Sequence, residues 1–528
     1  MKFNQVLPAL GLLLSSTALS AQTAGTADST FGVNGVRNLP GAGGAGAVRV
    51  THDDHILIGQ YKSSIANKVV VSHLDTNGAF VFNDTITVNG LTNMSVTGIY
   101  EGASHDVFVT GYGTSATNGW DAFVAKRNEA GGPVTSFGTN GATTLDIGGQ
   151  YNTGGKVVEL ANGNVVASGT LYDFNANTTT AYLYALNSNG QLKIGYGVGG
   201  VKQFPMAPGL TNAGTSIIND LAARNNTVYY TGEKISYDTH TAFTGAVDTV
   251  GAPVAGFHGD TTSYQNGQAI QFTSTGDMVI AGLVDGQNKV VVSKYNPTYG
   301  TKDISFATGG NYIIGEGGGG NLPQANGVTT YMAVDDSDKI NVVSNITPVS
   351  DTAGFVSIDA ATGAVNAKMA PFHHKQDTLT SFKVQSLGIQ HMGTHKNKMI
   401  LGANLSMNIN GPFTATATRF NVETVKPNDT DTTTAVYNIS PIEEKATLYP
   451  NPVVGNEDVH VQLPKGHAME KDEMTVYDLN GKEISKQVVE TDATGTATFK
   501  ANAASKGLYF IKVADPKGHS NVMKFQVQ

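Results

Sequence analysis

Short apolar strands that end on a small residue recur along most of the chain. They are HILIGQ (His55–Gln60), DVFVTGY (Asp106–Tyr112), NVVASGT (Asn164–Thr170), TVYYTGE (Thr227–Glu233), DMVIAGL (Asp277–Leu283), KINVVSN (Lys339–Asn345) and KMILGAN (Lys398–Asn404). The marker positions are Gly59, Gly111, Gly169, Gly232, Gly282, Ser344 and Gly402, spaced 50 to 63 residues apart. An alternating segment precedes each copy, such as GKVVELA (Gly155–Ala161) or GQAIQFTS (Gly267–Ser274). Short turns join the two, among them Asn162–Gly163, Thr275–Gly276 and Asp335–Asp338. Alternation broken by Asn/Asp/Gly turns predicts β-hairpins. A longer loop, a third strand and a fourth strand complete each repeat. Seven repeats of four antiparallel strands predict a seven-bladed β-propeller over residues 22–425. A solenoid would need parallel rungs where hairpin turns recur.

Two copies of one phrase bear on closure. STFGVNG (Ser29–Gly35) precedes the first blade, and TSFGTNG (Thr135–Gly141) ends the second. Phe31 and Phe137 lie 106 positions apart, which is two repeats. The copy between them has decayed to VFNDTITVNG (Val81–Gly90). The seventh repeat fades near Val425 with a weak fourth strand. Asp28–Val36 is therefore expected to supply the outer strand of blade seven, which removes two exposed sheet edges.

Composition agrees with a strand-and-turn fold. The chain has 528 residues, 63 of them glycine, and only 14% charged. Its net charge of −9 and five arginines argue against a nucleic-acid surface. The absence of cysteine excludes disulfides, thiolate metal sites and a lipid anchor on an N-terminal cysteine. Residues 1–21 read as a secretory signal: Lys2, an apolar run around Val6–Leu14, then small residues, with cleavage after Ser20 or Ala21. No other segment is long and apolar enough to cross a bilayer as a helix.

The sequence FGTNG, a hairpin turn, an apolar strand ending in Gly, and VAKRN together resemble the delta-sixty repeat β-propeller proteins. The resemblance covers about residues 28–425, and blades four, six and seven depart most from it. It implies a fold and no catalytic motif.

Beyond a Thr/Asp-rich linker (426–442) the composition changes. About a quarter of residues 443–528 are charged, against about an eighth before them. About seven short strands there predict a small Ig-like β-sandwich. Its phrases LYPNPV, VYDLNGK, GLYFIKV and the terminal KFQVQ resemble the type A C-terminal sorting domain of the type IX secretion system. The motif positions are Tyr449, Pro450, Asn451, Pro452, Gly481, Gly507 and Tyr509. The resemblance implies a Bacteroidota protein, extracellular or attached to the outer-membrane surface. It implies as partners the type IX translocon, an outer-membrane shuttle protein and a sortase-like peptidase. An ordinary accessory sandwich is the plainer alternative.

Candidate chemistry is sparse. G-x-S-x-G, H-E-x-x-H and a phosphate-binding glycine loop are all absent. Gly315–Gly320 reads as a flexible connection. Thr51–Ile56 (THDDHI) offers His52 and His55 as metal ligands across a turn, or is simply a hairpin turn. Asp335–Asp338 offers calcium ligands, or the same kind of turn. His373–His374 has no partner nearby in sequence. Asp-Thr-apolar triplets at Asp84, Asp248, Asp351 and Asp377 resemble Bacteroidota O-glycosylation acceptors. The loops between second and third strands are the better surface. They carry Tyr61, Tyr112, Trp120, Tyr172, Phe174 and Tyr237, with Asn118, Asp173 and Asp238 as polar neighbours, a set suited to glycan or peptide capture. The function expected is non-catalytic binding, as an adhesin or a glycan- or protein-binding module, with no cofactor. The alternatives are a glycan lyase or hydrolase with its site at the channel, and a purely structural surface component. Carboxylates clustered in the channel would favour the enzyme.

Overall fold

The computed structural model describes residues 28–421 and 447–527, apart from connecting segments such as 206–213, 315–329, 374–380 and 463–470. No helix occurs among the described residues. The chain forms two compact units, Met1–Val436 and Tyr437–Gln528.

The first unit is a seven-bladed β-propeller. Its inner strands are Gly44–Val50, Leu91–Glu101, Tyr151–Glu159, Thr215–Arg224, Asn266–Phe272, Thr330–Val334 and Ser381–His391. Each packs beside the next, and the seventh packs beside the first. Blade two shows the common plan, with Leu91–Glu101, Val107–Ser115, Gly119–Arg127 and Ala142–Leu145 paired antiparallel in that order. Blade four departs from it. Its third strand breaks into Thr239–Ala242 and Gly245–Val247, both paired to Thr227–Ser236. No fourth strand follows among its described residues.

The recurring glycine has a steric cause. At the marker, the ladder between inner and second strands slips by one residue in six blades. The slips lie between Ala45 and Ala47, Val96 and Gly98, Gly154 and Val157, Ile218 and Asp220, Gly267 and Ala269, and Val384 and Ser386. Such a bulge adds a residue to the inner strand and re-aims its backbone. A Cβ on Gly111, Gly169 or Gly232 would overlap the carbonyl oxygen of Ser95, Thr153 or Ile217. On Gly59 or Gly402 it would instead strike Val96 or Val48 of the following blade. Blade six carries Ser344 at this place, and its described ladder runs straight through.

The Phe-Gly phrases are turns ahead of the outer strands. Phe31, Phe137, Tyr196 and Phe306 are fully buried. The residue after each donates its N–H to the outer turn of the next blade: Gly138 to Asn189 O at 2.7 Å, Gly197 to Val250 O at 2.8 Å, Ala307 to Thr362 O at 2.9 Å. Gly32 donates in the same way to Asn77 O of blade one, at 3.1 Å. The first phrase thus stands before blade one as the others stand before their neighbours. The strand itself comes later than the sequence pattern predicts. It is Val36–Asn38, antiparallel to Thr414–Asn421, with Val36 opposite Thr418. The preceding residues cannot extend it, because Phe31 is buried in the turn and Gly32 and Gly35 have φ of 55° and 88°.

A buried ionic cluster fastens this junction. Asp28 forms an ion pair with Arg419, Oδ2 lying 2.9 Å from Nε, and lies 3.2 Å from Lys398 Nζ. Arg419 also donates to Thr76 O at 2.6 Å and to Thr30 Oγ1 at 2.9 Å, and stands over the Phe31 ring at 4.9 Å. Burial pushes the Asp28 carboxyl up, but the Thr30 hydrogen bonds and the charges of Arg419 and Lys398 outweigh it and hold it below the usual range. A depressed folded-state pKa stabilises the fold above the unfolded value and is lost as pH falls through the folded one. The stability difference between wild type and Asp28→Asn should therefore be wide at neutral pH and shrink below about pH 4. Thermal melts across pH test this, and a difference that does not change with pH would refute it.

The second unit is a small Ig-like β-sandwich. A three-stranded sheet (Thr447–Tyr449, Asp458–Gln462, Thr496–Lys500) accompanies a four-stranded one (Glu483–Glu490, Lys471–Tyr477, Gly507–Ala514, Ser520–Val527). Their core holds Val459, Val461, Met474, Val476, Phe499 and Ile511. Tyr509 is buried there, whereas Tyr449 is exposed beside His460. Asn451 Oδ1 accepts the Gln526 N–H at 3.0 Å, and Val453 donates to Gln526 O at 2.7 Å. The motif thereby joins the first strand of the unit to its last. Gly507 pairs with Val527 in the terminal ladder. Pro452 and Gly481 lie outside the described residues.

Candidate functional site

Blades two and three bring four of the expected aromatic residues together. Tyr112 lies within the second strand of blade two, Val107–Ser115, and Trp120 near the start of its third, Gly119–Arg127, so both sit in the ladder and not in the loop expected from the sequence. Tyr172 ends the second strand of blade three, and Phe174 follows in the turn. The ring centroids of Trp120 lie 5.8 Å from Tyr112, 6.2 Å from Tyr172 and 6.5 Å from Phe174. Tyr172 and Phe174 stack at 6.1 Å with planes 15° apart. A fifth ring, Tyr151, meets Trp120 edge-on at 5.5 Å and Phe174 at 4.8 Å. Gly119, at φ 91°, leaves the space in which the Tyr151 ring lies. Phe174 is 61% exposed and Tyr151 38%. Apolar rings left in water on a rigid scaffold form a surface that a sugar or side-chain face can cover.

Tyr151 escapes the sequence reading because it opens an inner strand, on the blade-to-blade connection. Tyr61 ends the second strand of blade one, Ile56–Tyr61, but its side chain is outside the described set. Tyr237, Asp238 and Asn118 lie outside the described residues. Asp173 caps its own turn, accepting from Asn175 and Ala176 N–H at 2.9 and 3.0 Å.

A second cluster lies at hairpin turns of blades one and two. His52 Nδ1 is 2.6 Å from Glu101 Oε1, and His105 Nδ1 is 3.4 Å from the same oxygen. The two imidazoles stack with centroids 3.5 Å apart. The Glu101 hydrogen bond raises the His52 pKa above its ordinary value. His52 and His55, one of the two readings of this turn, do not converge: His55 turns to Asp53, at 3.2 Å.

Six inner strands line a central cavity of about 560 Å³. Its polar lining includes Arg49, Lys156, Asp220 and Gln271, with Tyr100 and Tyr331. Asp220 already accepts the Ile270 N–H at 3.0 Å. Burial pushes its carboxyl up, against the charge of Lys156. No second carboxylate lines this cavity among the described residues.

Other candidates make hydrogen bonds or ion pairs within the fold. Asp335 accepts from Ser337 and Lys339 N–H, and Asp338 from Ser274 of blade five. Both carboxylates are thus hydrogen-bonded within the turns. Asp84 forms a buried pair with Arg127. Asp248 caps its turn through Val250 and Ala252 N–H. Gly315–Gly320, Asp351, Asp377 and His374 lie outside the described residues, as does the side chain of His373.

Comparison with known proteins assigns the C-terminal unit. Residues 447–528 match the family described as the secretion system C-terminal sorting domain. The chain therefore carries a type IX sorting domain, which directs export to the cell surface or the extracellular space. No curated protein matches the chain. Among solved structures it is similar to the extracellular domain of a hybrid two component system from B. thetaiotaomicron, at 11% identity and TM-score 0.41. That match covers 94% of this chain but only 57% of the other. It is also similar to the alpha-L-arabinanase of Penicillium chrysogenum, at 10% identity and TM-score 0.39, covering 77% and 99%. A third is the sialidase of Trypanosoma rangeli, at 9% identity and TM-score 0.36, covering 96% and 88%.

Proposed function

We propose that the chain is an exported propeller of the delta-sixty repeat kind that binds carbohydrate through the aromatic shelf on blades two and three. The observation that carries this reading is the convergence of Tyr112, Trp120, Tyr151 and Tyr172 from four strands and of Phe174 from a turn, with Phe174 and Tyr151 open to water. Stacked and edge-on rings held by two blades are rigid, so little ordering opposes capture of a flat apolar sugar face. In this reading residues 1–21 take the chain across the inner membrane. The type IX translocon, its shuttle protein and a sortase-like peptidase then act on the C-terminal unit. Turnover at the channel is disfavoured, because Asp220 stands alone among the described lining and is already bonded.

A glycan and matrix-protein array with the purified chain tests the reading. Trp120→Ala should weaken glycan binding by about thirty-fold, the loss of one central aromatic anchor, with the melting temperature held near wild type. Binding unchanged in Trp120→Ala and Phe174→Ala would reject the shelf as the site. Binding to matrix protein alone would reject carbohydrate as the ligand.

A further inference from the structure

We infer that His52, Glu101 and His105 form a binding site for a divalent transition cation of the zinc class, bridging blades one and two. The three ligand atoms lie within 4.8 Å of one another. Both imidazoles direct Nδ1 at one carboxylate oxygen, Glu101 Oε1. Two neutral nitrogens and one carboxylate suit zinc and its neighbours. Calcium and magnesium prefer an all-oxygen shell, so the donor set selects against them.

The scaffold alone does not account for the two histidines. Adjacent blades are tied at these turns by a repeated contact in which a side-chain acceptor or carbonyl receives a donor from the blade before. Glu101 Oε2 accepts the His52 N–H at 3.0 Å, and Glu159 Oε2 accepts the Ala103 N–H at 2.9 Å. Asn226 and Asp338 accept from Asn162 and Ser274 in the same way. Glu101 thus makes the common tie mainly through Oε2, while Oε1, 3.3 Å from the same N–H, also faces two imidazoles. The corresponding turns of blades three to six carry Asn162–Gly163, Asn225–Asn226, Thr275–Gly276 and Asp335–Asp338, with no histidine.

The geometry leaves room for an open coordination position. The Glu101 side chain is 6% exposed and fixed, while His52 and His105 are 41% and 47% exposed on the solvent side. A cation would replace the proton shared by His52 and Glu101, with that proton released to solvent. Water would fill the fourth position, as in open three-ligand zinc sites.

Calorimetric titration of the full chain with Zn²⁺ and separately Ca²⁺, after chelator treatment, tests the site. One saturable Zn²⁺ equivalent is expected, with no Ca²⁺ response. His105→Ala and Glu101→Gln should each weaken it at least tenfold, whereas His55→Ala should leave it unchanged. Glu101→Gln retains an acceptor for the His52 N–H, so its melt reports on folding separately from metal affinity. Absence of a stoichiometric Zn²⁺ isotherm, or one equally strong in His105→Ala, would overturn the proposal.

Discussion

Replacing Arg419 by methionine lowers propeller stability by about 3 kcal/mol or more, because one partner of a buried charge pair is removed and the other stays. Arg419 is 1% exposed, and so is Asp28. The substitution leaves Asp28 with Lys398 at 3.2 Å and Thr30, and it strips the donors from Thr76 O. It also removes the cation above the Phe31 ring. The double variant Arg419→Met with Asp28→Leu should recover part of the loss, since the stranded charge is gone. Thermal and urea unfolding of the three proteins measures this. A single variant within about 0.5 kcal/mol of wild type, the range of ordinary surface changes, would show that the cluster does not hold the ring.

Gly232→Ala is expected to cost about 1–3 kcal/mol, the range for forcing atoms into a filled interior. The new methyl would overlap the Ile217 carbonyl oxygen, which is backbone and cannot swing aside. Relief requires moving the bulge at Ile218–Asp220, and with it the bond from Asp220 to Ile270 N–H. Gly195→Ala is the control: no atom lies within 4 Å of its would-be Cβ, and it should melt within a degree or two of wild type. Equal melting of the two variants would dismiss the steric account of the marker glycines.

Much of the propeller is legible in the sequence because its repeating constraint is local. In blades two, three and four the bulge leaves no room for a Cβ at one place in the hairpin, in blades one and seven a valine of the following blade fills it, and in each case the residue sits at the end of a recognisable apolar strand. Blade six shows the converse, since Ser344 appears where its described ladder, from Thr330 on, does not slip. The Phe-Gly phrase misleads by the same logic. A buried Phe flanked by small residues has strand-like composition, and only its position under the neighbouring blade's turn reveals it as a turn. The candidate sites divide likewise. Tyr112, Trp120, Tyr172 and Phe174 flank the same kind of connection, between second and third strands, and can be gathered by inspection even though three of them lie in the strands. Tyr151 joins them across a blade boundary. Glu101 is 49 residues from His52, and their contact exists only once blade two stands beside blade one.

The sheet that unites both ends of the propeller also sets an order of events. Val36 meets Thr418 across about 380 residues of chain, whereas the outer strands of blades one and two fold back on segments no more than about two dozen residues away. Contacts so distant in sequence form late, since the intervening chain must be organised before they repay the cost of closing the loop. Val36–Asn38 must therefore wait for Thr414–Asn421, synthesised hundreds of residues later. Until they meet, the chain is an open arc of blades with two unpaired edges, and those edges are where a maturing molecule is most exposed to mispairing with another copy.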